Sequence, residues 1–170
     1  MRKSLKIILI IFFSLLVLWF LIRLISPREI DDVSPGIPCE NEKEYIEKSE
    51  YLWVIPLLNN ISIAENKTWC NEILAMNKTL GMHGIKHTYW EFKIENISQE
   101  ELQEGIKIFE ECFGYKPKNF KAPQLRLNEK NKNLIGENHL IIKSKLNQAI
   151  HKVYHCDDTG VLSNKFIDLF

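Results

Sequence analysis

Arg28-Glu29-Ile30-Asp31-Asp32-Val33-Ser34-Pro35 sets two adjacent carboxylates just ahead of a Ser34-Pro35-Gly36 turn cluster. Its first six residues, Arg28 to Val33, predict a short strand. Neighbouring carboxylates repel, so a folded chain keeps them together when a cation or donors compensate. On a regular strand they point to opposite faces, so one could bind a metal while the other works as a base. Taken alone, the pair fits a solvated turn opening onto Ser34-Pro35 at least as well.

Upstream, Ile7 to Ile22 carries no charge and is almost wholly apolar. With its flanks Lys6 and Arg23, whose stems can snorkel to headgroups, it reaches the ~20 residues that a spanning helix needs. Trp19 and Phe20 sit near one end, where amphipathic rings favour the membrane interface. A cleaved signal peptide is the competing reading, but Leu24-Ile25-Ser26-Pro27 is a poor cleavage site. The expectation is an uncleaved anchor over residues 1–26 and one domain over residues 27–170. Arg2, Lys3 and Lys6 precede the span and Arg23 and Arg28 follow it, which places the domain outside the cytoplasm.

Lysine plus arginine balance aspartate plus glutamate at 22 each, so no strongly basic face invites nucleic acid as a partner. Cys39, Cys70, Cys112 and Cys156 form an even set that allows three pairings or four buried thiols. None forms a Cys-x-x-Cys pair, which excludes a zinc ribbon. Four Asn-x-Ser/Thr sequons, at Asn60, Asn66, Asn77 and Asn96, are expected by chance in an asparagine-rich chain.

Downstream the elements alternate. Asn41 to Glu50 predicts a helix, and Tyr51 to Leu58 a buried strand cut short at Pro56. Lys67 to Lys78 carries Trp69, Ile73 and Met76 at helical spacing, and Leu80 to Met82 a short strand. Ser98-Gln99-Glu100-Glu101 has capping-box spacing, Leu102, Ile106 and Phe109 recur on one face, and Gly114 stands in the C-terminal position. Asn119 to Ala122, His139 to Lys143 and Ile150 to His155 predict strands. Glu129 to Ile135 predicts a helix stopping at Gly136, and Phe166 to Phe170 an apolar cap on the core. Such alternation predicts a parallel α/β sheet, with functional loops after its strands.

Two further clusters fall at such positions. His83-Gly84-Ile85-Lys86-His87 places two imidazoles four residues apart, and on one helical turn both could grip one metal. Asp32 upstream would complete a two-histidine, one-carboxylate site with open positions. The other cluster is Phe120-Lys121-Ala122-Pro123 with His155 beyond it: Lys121 could hold a carboxylate and His155 could donate a proton. Each also fits an ordinary surface lysine or strand-end histidine. His139 and His151 have no motif around them and read as structural.

The order Ile30-Asp31-Asp32-Val33, His83-Gly84-x-x-His87, Phe120-Lys121-Ala122-Pro123, Val153-Tyr154-His155 resembles the polysaccharide deacetylase (NodB-homology) superfamily, in its compact branch. The resemblance implies a shortened, distorted (β/α) barrel after one transmembrane helix. It implies that Asp32, His83 and His87 bind a divalent metal, usually zinc, that Asp31 is the general base and that His155 is the general acid. The reaction implied is hydrolysis of an N- or O-acetyl group on a carbohydrate, polysaccharide or lipid-linked. Lys121 stands where the family commonly has an arginine that orients the base. The family's intermediate Asp/Trp motif has no counterpart between Asn128 and Ile150. A membrane-tethered glycan-binding module and a structural envelope protein are the other readings.

Overall fold

The computed structural model describes residues 2–39 and 43–170. The apolar segment forms α1 (Arg2–Ile25), of which Ser4–Ile25 is long and apolar enough to cross a membrane. Only Ser26 and Pro27 separate it from β1 (Arg28–Val33), the strand expected there. Next comes α2 (Lys43–Lys48); the expected start at Asn41 and Glu42 lies outside the described residues. Then β2 (Tyr51–Val54) ends before Pro56, which has no N–H to donate to a ladder, and a small hairpin of β3 (Leu57–Leu58) and β4 (Ile61–Ser62) follows.

The side chain of Asn66 accepts from the Trp69 amide and caps α3 (Lys67–Ala75), which leads to β5 (Thr79–His83). A short α4 (Glu91–Ile94) precedes α5 (Gln99–Phe113), where Ser98 and Glu101 form the full capping box and Gly114 closes the helix at φ 78°. Beyond β6 (Asn119–Lys121), α6 (Glu129–Glu137) runs through Gly136 instead of stopping there. Burial of Ile135 outweighs the weak helix propensity of one glycine. Last come β7 (Ile141–Lys143), α7 (Lys145–Ile150), β8 (Lys152–His155) and α8 (Asn164–Leu169). β7 and β8 each begin two residues later than expected, because His139 adopts φ 60° and α7 runs to Ile150. In the tail Ile167 is buried, whereas Phe166 and Phe170 stay largely exposed.

The main sheet has six strands in the order β7-β6-β5-β2-β1-β8, every neighbouring pair parallel. Strands added in chain order extend one edge, and β8 returns to pair with β1. That is barrel order with the barrel left open between β7 and β8, a curled half-barrel. A closed (β/α) barrel needs about eight strands, and here α7 lies between β7 and β8 along the chain.

Ile30, Leu52, Val54, Met82 and Phe120 from the strands and Leu102, Ile106 and Phe109 from α5 belong to one core. Burying each such side chain contributes roughly 1.5–3 kcal/mol. Of the three pairings open to the cysteines, Cys39–Cys156 and Cys70–Cys112 form. The first ties the loop after β1 to the turn after the neighbouring strand β8.

Candidate metal centre

The loops after β1, β5, β6 and β8 meet over the C-terminal ends of the strands. There they line a cleft of about 610 Å³ that includes Asp31, Asp32, His83, His87 and His155. Another cleft, of about 790 Å³, lies at the opposite strand ends, beside Thr79, Asn119 and His139, and holds none of these groups.

Asp31 and Asp32 are buried, which removes the solvated-turn reading. Strand alternation would send them to opposite faces, but both reach the same cleft. Asp32 adopts φ 64°, the ladder to β2 slips between Ile30 and Val33, and the resulting kink turns the second carboxylate back beside the first. Asp31 Oδ2 lies 4.0 Å and Asp32 Oδ1 3.3 Å from the same atom, His83 Nε2.

The two histidines also meet, though not on a helix. His83 ends β5, and His87 sits in the following loop at φ 58°, with ring centroids 4.9 Å apart. Glu91 builds this loop: its carboxylate accepts from the amides of Ile85, Lys86 and His87 at 3.2, 2.8 and 3.2 Å. Burial pushes the Glu91 carboxyl up, against those three bonds. Gly84 has φ 65°, and a Cβ there would lie 2.5 Å from Glu91 Oε2 and 2.6 Å from Pro123 Cγ. The glycine in His-Gly-x-x-His is therefore dictated by both backbone sign and close approach.

One ligand atom each from Asp32, His83 and His87 lie within 4.8 Å of one another. Asp32 Oδ1 is 2.9 Å from His87 Nε2 and 3.3 Å from His83 Nε2, yet it is buried without a hydrogen-bond partner. Burial pushes the Asp32 carboxyl up, but contact with the two imidazoles outweighs it and holds the group well below the usual carboxylate range. Burial alone would lower the pKa of His83, but the charges of Asp31 and Asp32 raise it. His83 Nδ1 lies 3.1 Å from the Lys121 carbonyl, an acceptor only, so Nδ1 carries the proton and Nε2 faces Asp32. An unpartnered carboxylate oxygen and two Nε2 atoms facing it, one with its ring fixed by a carbonyl, fit a divalent cation.

Lys121 is fully buried, which excludes a surface role. Its ammonium donates to Asp31 Oδ1 at 2.7 Å and to Glu29 Oε2 at 3.1 Å, and lies 5.4 Å from the centre of the Trp53 ring. Trp53 Nε1 donates to Glu29 at 2.8 Å, and His151 Nδ1 bonds the other Glu29 oxygen. Glu29, unremarked in the sequence, and His151, expected there to be structural, thus back the Asp31–Lys121 pair. Glu29 could have been found from its spacing, two residues before Asp31 on the same strand face. His155 Nε2 is 3.8 Å from Asp31 Oδ2, but its Nδ1 is buried without a partner, packed where a Cβ on Gly160 would lie 2.5 Å away. Thr159 donates to Asp32 Oδ2 at 3.2 Å. The structure therefore brings all six expected residues to one site, together with Glu29, Glu91, His151 and Thr159.

No family model matches the sequence, and no curated protein does. Solved structures do match the fold. The polysaccharide deacetylase Bc1974 from Bacillus cereus aligns at TM-score 0.52 and 16% identity, over 70% of this chain and 60% of that one. A family 4 carbohydrate esterase from Streptomyces lividans, in complex with acetate, aligns at 0.51 and 12%, over 69% and 60%. BA3943, a CE4 family pseudoenzyme from Bacillus anthracis, aligns at 0.50 and 14%, over 71% and 43%. The chain spans about half the length of these structures. At such identities the fold is what the chain shares with them: the α/β half-barrel of the family 4 carbohydrate esterases and polysaccharide deacetylases.

Proposed function

We propose that the domain, residues 27–170, is a metal-dependent hydrolase that removes acetyl groups from a carbohydrate at the membrane surface, anchored outside the cytoplasm by residues 1–26. The observation that carries this reading is the Asp32, His83 and His87 cluster beside a buried Asp31 and His155. Zinc suits two imidazoles and one carboxylate with positions left open. A cation held there would polarise the acetyl carbonyl and make a nearby water easier to deprotonate. Asp31 takes the proton of that water, while the Lys121 ammonium fixes the carboxylate's direction. The water oxygen bonds to the acetyl carbon, the C–N or C–O bond to the sugar breaks, and His155 Nε2 protonates the departing nitrogen or oxygen.

A membrane-tethered glycan-binding role without efficient turnover is the second reading. It is favoured by His155 Nδ1, for which no described residue provides a partner to orient the ring. Metal analysis paired with acetate release from acetylated sugars tests both. Stoichiometric metal that is lost in His83→Ala, with acetate released, supports the hydrolase. Metal without acetate supports the binding module. No metal in the wild-type chain overturns both and leaves a structural envelope protein.

A further inference from the structure

Lys121 is a single ammonium between two buried carboxylates. Asp31 Oδ1 accepts from it at 2.7 Å and Glu29 Oε2 at 3.1 Å, and all three side chains are almost wholly removed from water. An ammonium is a compact charge on a flexible stem, without the flat fork that fixes an arginine's direction. Which carboxylate it favours depends on what else each of them holds. In a dry site an unsatisfied carboxylate draws strongly on a cation, because no water competes for it.

Glu29 is satisfied from two further sides. Trp53 Nε1 donates to Oε2 at 2.8 Å, and His151 Nδ1 bonds Oε1. A carboxylate in that bond only accepts, so Nδ1 carries the ring proton. Room for the Trp53 indole comes from Gly81, its register partner on β5, where a Cβ would lie 2.3 Å from Trp53 Cζ3. His151 is the residue between α7 and β8, and its ring also lines the cleft. The Asp31 carboxylate, by contrast, takes its one side-chain hydrogen bond among the described residues from Lys121.

We infer that His151 is a positioning residue for the base. By occupying Oε1 it satisfies Glu29, so the Lys121 ammonium is left to Asp31 and fixes the direction of that carboxylate. The shorter of the two Lys121 bonds is the one to Asp31, as this division requires. The inference rests on the hydrolase reading for the role of Asp31. It goes beyond that reading in giving a task to a histidine that acts through two other side chains.

The test compares the full chain in detergent with His151→Phe, which keeps a ring and removes the donor, and with His151→Asn, whose amide can donate from the place of Nδ1. His151→Ala serves where phenylalanine does not fold. In His151→Phe, Glu29 regains its draw on Lys121. The kcat for acetate release should fall roughly ten- to hundredfold, as for a reacting group displaced by up to 1 Å. KM and zinc content should stay as in the wild type, and His151→Asn should recover most of the rate. Glu29→Gln replaces the competing charge with a neutral amide, so on that background His151→Phe should lower kcat no further. A His151 that merely fills space predicts equal losses on both backgrounds and no recovery with asparagine. Either result overturns the inference.

The position of Lys121 is read independently of activity, by nuclear magnetic resonance of the metal-free chain with isotope-labelled lysine nitrogen. The Lys121 ammonium signal, identified by its loss in Lys121→Met, should move in His151→Phe and return toward its wild-type position in His151→Asn. A signal that does not move overturns the inference even where acetate is released. A signal that moves in a chain that releases no acetate overturns the hydrolase reading instead, and leaves Lys121 held as stated.

Discussion

His83 and Lys121 are register partners across β5 and β6, and the Lys121 carbonyl accepts a hydrogen bond from His83 Nδ1 at 3.1 Å. One residue therefore supports two parts of the site. Its backbone sets the tautomer of the imidazole proposed as a metal ligand, and its side chain holds Asp31. These functions separate on substitution. Lys121→Met leaves the carbonyl in place, so metal content should stay stoichiometric. It leaves Glu29 and Asp31 as buried carboxylates without their shared cation. Breaking a buried pair in this way costs about 3–5 kcal/mol. Denaturant unfolding should show that loss, acetate release should fall to background, and metal analysis should show no change. Loss of metal together with activity would mean that the ammonium, and not the carbonyl, organises the metal side.

The adjacent carboxylates should separate in the same manner. Asp32 Oδ1 faces both Nε2 atoms, whereas Asp31 is bonded to Lys121. Removing a supporting group around a metal costs 10–100-fold in affinity, so removing a ligand should cost roughly 100-fold or more. Asp32→Asn is expected to lose metal during dialysis against a weak chelator. Asp31→Asn is expected to keep metal and lose acetate release. The reverse pattern would exchange the proposed roles.

Gly84→Ala isolates the loop. The added methyl meets Glu91 Oε2 and Pro123, and the backbone must hold φ 65° with a side chain present. A non-glycine residue in such a conformation costs of order 1–3 kcal/mol. The expected outcome is a lower melting temperature with weaker metal binding, because Glu91 can no longer gather the amides of residues 85 to 87. Unchanged metal affinity in a folded Gly84→Ala would show that the Glu91 bonds do not position His87.

Individual strands and helices were legible because local rules carry them. Arg28 to Val33, the Ser98 capping box and the stop at Gly114 all depend on residues near in sequence. The site was legible as a set of residues and not as a geometry. Period-2 alternation predicts that Asp31 and Asp32 diverge, and the left-handed turn at Asp32 that makes them converge has no mark in a single sequence. His83 and His87 at helical spacing meet through a loop, because the carboxylate of Glu91 replaces the helix's own hydrogen bonds. Glu29 and His151 lie 122 residues apart, and their pairing depends on β8 returning to β1. Membership of such a network is a tertiary fact that neither residue's neighbours encode.

Acid should loosen one wall of the cleft before it unfolds the rest. Asp168 on α8 accepts from Lys48 Nζ at 2.8 Å and from the Tyr154 hydroxyl at 2.7 Å, and so ties α8 to α2 and β8. Burial pushes the Asp168 carboxyl up, but those two bonds outweigh it and hold it below the usual carboxylate value. A carboxyl depressed in the folded state stabilises fully above its unfolded pKa, and that contribution is lost as pH falls through the folded pKa. With an unfolded value near 4, the loss falls below about pH 4, while the contribution is intact at neutral pH. The side chain is about a third exposed, so solvent screens the effect and the loss is partial. Ile167 lies on the same short helix and lines the cleft, so the cleft should open as α8 frays. Hydrogen exchange of residues 164–169, measured at pH 6 and at pH 3.5, should accelerate at the lower pH beyond the change in intrinsic rate. Asp168→Asn should show the faster exchange at both. Equal protection of the wild-type helix at the two values would mean that packing of Ile167, and not the charge on Asp168, holds α8 in place.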